Sequence, residues 1–308
     1  MRMSNFLLAL LLGGLLFLPP GMSVARQRAA TVELGVLPYL NPRAIVTLYQ
    51  PLRAYLEKRL KQPVVIVTAP NFKTYIERTR QRQYPVLMTA PHMGRLAQLE
   101  AGYVPMLIGN RKLYGVLVAA KSGTIRHIRD LRGKTIAMPD RLAIMSMLGE
   151  TLLRTHGLTP GRDVTLRPFL SHTSAALSVL RGENAAAVIA ELVFRQLPES
   201  TRSRLKVLAE TNRVPHLLYM ASPDLPSGEI AQLRQIMRDF VSKTPEGKHF
   251  MKKLNLDGWH PPTQKELAGL DPYAREVRAL MNGKSQGASP SASGQAAKHG
   301  LAKPEKRH

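Results

Sequence analysis

Short apolar runs alternate with longer amphipathic stretches along most of the chain, a pattern of strands followed by helices. Residues 32–37 predict a first strand, and the turn from Pro38 to Pro42 follows it, with Asn41 and Pro42 suited to the N-cap and first turn of a helix. Leu48, Leu52, Leu56 and Leu60 mark one stripe of that helix, and Pro51 is expected to kink it. A β-branched strand at 64–67 precedes a helix over 72–83 capped by Asn71, and a strand at 85–90 leads through Pro91-His92-Met93-Gly94 into a helix closing at Gly102. Extended runs at 105–108 and 114–120 come next, then a short helix around Ile128. The alternation resumes with strand 135–138 and helix 142–155, strand 164–169 and helix 173–180, strand 185–190 and helix 192–197. After extended runs at 205–208 and 216–221, Ile230, Leu233, Ile236, Met237 and Phe240 form a clear helical stripe. The predicted class is α/β.

The stretch from Lys134 to Glu150 is the centre of this reading. Its apolar strand is bounded by Gly133 and Pro139-Asp140, and Ile144, Leu148 and Leu152 then share one helical face, with Asp140 as the expected N-cap. Helices that begin at strand ends in an open α/β sheet offer unpaired N–H groups and a positive dipole end to an anion. The turn is therefore either a ligand floor or an ordinary strand-to-helix connection.

The N-terminus adds a compartment. Arg2, an apolar block over 6–18, Pro19-Pro20-Gly21 and the small triplet Ser23-Val24-Ala25 follow the order of a secretory signal peptide cleaved after Ala25; an uncleaved membrane anchor is the other reading. The chain has no cysteine, which excludes a disulfide scaffold, a thiolate metal site and lipid attachment through cysteine. Its net charge of +23, from 44 Lys and Arg against 21 Asp and Glu, favours anionic partners. The basic residues are dispersed, however, and no nucleic-acid module or basic-aromatic interleaving is present, so nucleic acid is not an expected partner. Residues 282–308, made of Gly, Ser, Ala, Lys and Pro without periodicity, read as a disordered basic tail. Scattered histidines and the absence of HExxH, GxSxG and phosphate-loop patterns argue against an enzyme, a metal site or a cofactor.

Five segments in order carry a resemblance: LGVLPYLNP with PLRAYLEKRL, NFKTYIERTRQRQYPVLMTAPHMGRLA, IRDLRGKTIAMPD, FLSHTSAALSVLRGENAAAV, and ASPDLP before the C-terminal helices. Over about residues 32–281 the chain resembles the phosphonate/phosphite/phosphate-type periplasmic solute-binding proteins of ABC transporters. The resemblance implies a two-lobed, type II-like periplasmic-binding-protein fold, each lobe a sheet flanked by helices, with a ligand cleft between lobes that close by hinge motion. Lobe one would comprise 31–117 plus 215–281 and lobe two 118–214, with 114–120 and 216–221 as the connecting strands.

The family's phosphonate binders place hydroxyl residues at the helix start after the strand matching 135–138; this chain has Arg141, Leu142, Ala143, Ile144 and Met145 there, with Ser146 too far along. The cleft is therefore expected not to favour 2-aminoethylphosphonate. Ser171 and His172 match the family's Ser-His pair, whose histidine contacts the bound anion, and Glu191 is the acid nearest the family's carboxylate after the small-residue strand. Further candidates each have a second reading: Tyr39 for ligand contact or helix packing, Thr89 and His92 for contact or capping, Tyr114 for recognition or hinge packing, and Asp140 for the turn or its cap. Arg141 would either supply charge-assisted bonds or stand exposed. The implied partners are a small anionic ligand and a permease-ATPase complex, or alternatively a membrane sensor kinase or cyclase, with the binding protein a periplasmic monomer.

Overall fold

The computed structural model describes residues 31–169 and 171–283, so the expected signal peptide and nearly all of the expected tail lie outside the described residues. In chain order the first half contains β1 (Val32–Val36), α1 (Pro42–Leu60), β2 (Val64–Val67), α2 (Phe72–Arg80), β3 (Val86–Thr89), α3 (Pro91–Ala101), β4 (Val104–Gly109), β5 (Gly115–Ala120), β6 (Thr135–Met138) and α4 (Ile144–Thr155). The second half contains β7 (Thr165–Pro168), α5 (His172–Leu180), β8 (Ala186–Ala190), α6 (Glu191–Gln196), α7 (Glu199–Arg202), β9 (Leu205–Glu210), β10 (Leu218–Ala221), α8 (Ser227–Lys243), α9 (Pro245–Lys253), β11 (Trp259–His260), α10 (Gln264–Ala268) and α11 (Asp271–Met281).

These elements form two mixed sheets flanked by helices, the two-lobed α/β architecture expected from the sequence. The first sheet has the order β11-β4-β10-β3-β1-β2, and the second the order β7-β6-β8-β5-β9. In the first, β1 pairs in parallel with both β2 and β3, while β10 runs antiparallel between β3 and β4. In the second, β6 is parallel to β7 and β8, and β5 is antiparallel to β8 and β9.

The side-chain period of two sorts the second lobe into two cores. Leu117 and Ala119 join Ile136, Ala186 and Val188 on one face, while Val116 and Val118 join Ala137, Ala187 and Ile189 on the other. The first lobe has one continuous core, in which Tyr49, Tyr75, Tyr103, Tyr219, Phe240 and Phe250 are the largest fully buried side chains. A further cluster crosses between the lobes: Ile144, Met145 and Leu148 of α4 pack with Leu270 beside α11, and Met147 and Leu142 pack against the first lobe's core. Among the described residues no helix is long and apolar enough to cross a membrane.

Several details depart from the expectations. Both β5 and β10 lie wholly within their sheets, so the chain passes between lobes at 110–114 and 211–217 and not along 114–120 and 216–221. Those passages are tied at one point, where Leu113 and Val214 exchange both backbone hydrogen bonds, at 2.8 and 2.9 Å. Helix α1 continues through Pro51, and its buried stripe is Ile45, Tyr49, Leu52 and Leu56, because Tyr49 reaches the core and leaves Leu48 at its margin. Helix α4 begins at Ile144 and not at 142: the Asp140 Oδ1 accepts from the Leu142 N–H at 2.8 Å and its carbonyl accepts from Ala143 N–H, so Asp140 shapes a turn ahead of the helix, whose N-cap is Ala143.

Candidate ligand-binding cleft

The turn after β3 meets the turn after β6. His92, fully buried in the first turn of α3, places Nε2 2.9 Å from the carbonyl oxygen of Leu142. A carbonyl can only accept, so Nε2 carries the proton of the neutral ring and donates it. Burial pushes the His92 pKa down to about 4, and its buried Nδ1 has no partner. The start of α4 is thus docked on lobe one by a hydrogen bond and by Leu142 and Met147, while the Ser146 hydroxyl turns inward and donates to the Pro139 carbonyl at 2.9 Å.

The other expected residues are spread around this contact. The Tyr39 hydroxyl lies 3.2 Å from that of Tyr49, and burial pushes its pKa up to about 12. Thr89 is buried inside lobe one, beside Tyr75 and Met93 at a void of about 10 Å³, and its hydroxyl has no partner. Asp140 and Arg141 are exposed. Ser171 caps α5, accepting from Ser174 N–H at 3.1 Å. His172 falls in the first turn of α5; its Nδ1 accepts from the Ala190 N–H at 3.4 Å, and burial lowers its pKa to about 4.

A cavity of about 360 Å³ opens where the chain crosses between the lobes. The first passage contributes Arg111, Lys112, Leu113 and Tyr114, helix α6 contributes Glu191, Leu192 and Arg195, the second passage contributes Arg213 and His216, and Asn255 closes one side. Of the nine expected site residues it gathers Tyr114 and Glu191, whose backbones are joined by the Glu191 N–H donating to the Tyr114 carbonyl at 3.1 Å. The Arg213 guanidinium stands over the Tyr114 ring at 3.7 Å, a cation–π contact. Arg195 pairs with Glu191, whose hydrogen bond raises the arginine's pKa above its ordinary value. Tyr39, Thr89, His92, Asp140, Arg141, Ser171 and His172 do not line this cavity.

Arg111, Lys112, Arg195, Arg213 and His216 were not singled out by the sequence. The first four are cations in a chain with 44 Lys and Arg, so nothing local separates them from the solvated basic surface. Among the described residues no group of three or more His, Cys, Asp or Glu could hold a metal ion.

Comparison with known proteins gives the same architecture. XAC2383 of Xanthomonas citri, solved with chloride, superposes with a TM-score of 0.70 at 17% identity, covering 81% of this chain and 99% of that one. PhnD1 of Prochlorococcus marinus in complex with methylphosphonate gives 0.69 at 16% identity, covering 80% and 98%. The periplasmic aliphatic sulphonate binding protein SsuA of Escherichia coli gives 0.55 at 17% identity, covering 83% and 84%. At such identities the likeness establishes the fold alone. The family model for the ABC transporter, phosphonate, periplasmic substrate-binding protein matches residues 34–267. Because that match runs through both lobes and every strand that forms the two sheets, the chain belongs to the phosphonate-type periplasmic substrate-binding proteins of ABC transporters.

Proposed function

We propose that this protein captures a small anionic solute between its two lobes, closes on it by rotation about the passages at 110–114 and 211–217, and presents it to a membrane permease with its ATPase. The family supplies the class: a component that binds a solute for a membrane transporter, working in the periplasm. The observation that carries the reading for this chain is the cavity of about 360 Å³ between the lobes, into which four cations from three segments converge. Four cations against the one carboxylate of Glu191 give the cavity an excess of positive charge that attracts counter-ions, and the net charge of +23 extends that attraction outward. Its size falls in the range of pockets that take small organic ligands, roughly 300–1,000 Å³.

The test is a thermal-shift screen against phosphate, phosphite, methylphosphonate, alkylsulfonates and carboxylates. A ligand present at a hundred times its Kd stabilises the folded state by about 2.7 kcal/mol. At least one anion is expected to raise the melting point, and a screen in which none does so rejects the reading. Export through a signal peptide cut after Ala25 leaves Arg26 as the first residue of the periplasmic protein, which the intact mass of protein from an osmotic-shock fraction checks. The working unit is a monomer, to be measured by light scattering.

A further inference from the structure

We propose that the cavity at the lobe crossing is built for a phosphate monoester with a compact organic group, in preference to inorganic phosphate or a short-chain phosphonate. The inference rests on the anion-binding reading above and assigns Arg195, Arg213 and His216 as the residues that set specificity.

The four cations are not equivalent. Arg111 is fully engaged, with Nε and one terminal nitrogen on Asp257 at 2.8 and 2.9 Å and the other on Asn255 at 3.1 Å. Lys112 is held by Glu266 at 3.3 Å. Arg195 is held by the Glu191 carboxylate and Arg213 by that of Glu210 at 2.7 Å, and Tyr114 interacts with both guanidiniums. A guanidinium has five N–H donors, so each of these two keeps a fork for a ligand. They come from different segments and flank the same Tyr114 ring. A carboxylate's two oxygens are used up by one fork, whereas the three terminal oxygens and two charges of a phosphate monoester serve both.

Volume and wall chemistry supply the organic group. At about 360 Å³ the cavity falls in the roughly 300–1,000 Å³ range of pockets that take small organic ligands, more room than one oxyanion needs. Leu113 and Leu192 give the cavity apolar wall. His216 lines it too, only 7% exposed, with a buried Nδ1 that has no partner and no hydrogen bond to any described residue. That nitrogen is shut off from solvent, so His216 contributes to the cavity as wall.

Calorimetric titration of the purified protein with phenyl phosphate, inorganic phosphate and methylphosphonate tests this. Phenyl phosphate is expected to bind at least about tenfold tighter than either other anion. Arg195→Ala and Arg213→Gln should each weaken it by about 10- to 150-fold, the loss of a charge-assisted hydrogen bond, while melting points without ligand stay near wild type, both side chains being exposed. Arg126→Ala, an exposed arginine elsewhere on lobe two, should change nothing. Methylphosphonate or phosphate binding as tightly as phenyl phosphate overturns the inference and leaves the anion reading intact, as does phenyl phosphate binding that neither arginine substitution weakens. Binding of none of the three by calorimetry, together with a silent thermal-shift screen, removes both.

Discussion

His92 has a carbonyl on one ring nitrogen and no partner on the other, and this asymmetry governs its response to acid. Its pKa falls from 6.5 when exposed to about 4 in the folded protein because burial disfavours the imidazolium. Between those values the unfolded chain binds the extra proton, so the stability is complete above about pH 6.5 and is lost as pH falls toward 4. For His92 the loss is on the order of 3 kcal/mol. His172 and His216, also lowered to about 4, add in the same direction. Melting curves from pH 7 to pH 4.5 should show this decline, and His92→Gln should make it shallower; an equal decline in the variant would remove His92 as a cause. Gly247 makes a steric prediction. A Cβ there would stand 1.9 Å from the Phe240 carbonyl oxygen, a rigid backbone atom, so Gly247→Ala must push α8 and α9 apart. A loss of about 3 kcal/mol in denaturant unfolding is expected. Neither residue announces its role in the sequence. His92 follows a proline as a cap or ligand would, and the partner that decides between them, the Leu142 carbonyl, lies 50 positions away.

At the scale of elements, periodicity and capping residues were legible because they are local. Asn41 and Asn71 cap the helices they precede, and Ile230, Leu233, Ile236, Met237 and Phe240 form the buried stripe of α8. What was not legible was the sheet to which a strand belongs. The run Val116 to Ala119 is buried on both faces, so it carries no alternation that could separate a strand within a sheet from a crossing between lobes. The start of α4 was misplaced because Asp140 is equally suited to an N-cap and to the side-chain turn it makes. The short β11, only two residues long, offers no period at all. Caps also give a graded test: Thr244 accepts from the Gly247 N–H at 2.9 Å at the start of α9, and Thr244→Ala should cost about 1 kcal/mol in urea unfolding. A change below a few tenths of that would show that α8 and α9 hold the turn without the cap.

Across the whole molecule, the two lobes are joined by the passages at 110–114 and 211–217 and by the apolar seam of Ile144, Met145, Leu148 and Leu270. The seam and the His92 contact oppose opening, and the crossings permit it. Weakening the seam with Leu270→Ala, a fully buried position, should lower stability by about 2–5 kcal/mol. The reciprocal hydrogen bonds between Leu113 and Val214 have a consequence of another kind. A mutually bonded antiparallel pair is the closing rung of a two-residue hairpin, so the chain enters and leaves lobe two through a gap that Asn-Gly could bridge. Topologically, the second lobe is a cassette set into a single peptide-wide slot of the first. Excising it and joining Leu113 to Val214 through Asn-Gly leaves every strand of the six-stranded sheet in place, and the shortened chain is expected to retain cooperative unfolding and a near-ultraviolet circular dichroism signal from Tyr219 and Trp259, whose rings pack 4.6 Å apart in that sheet.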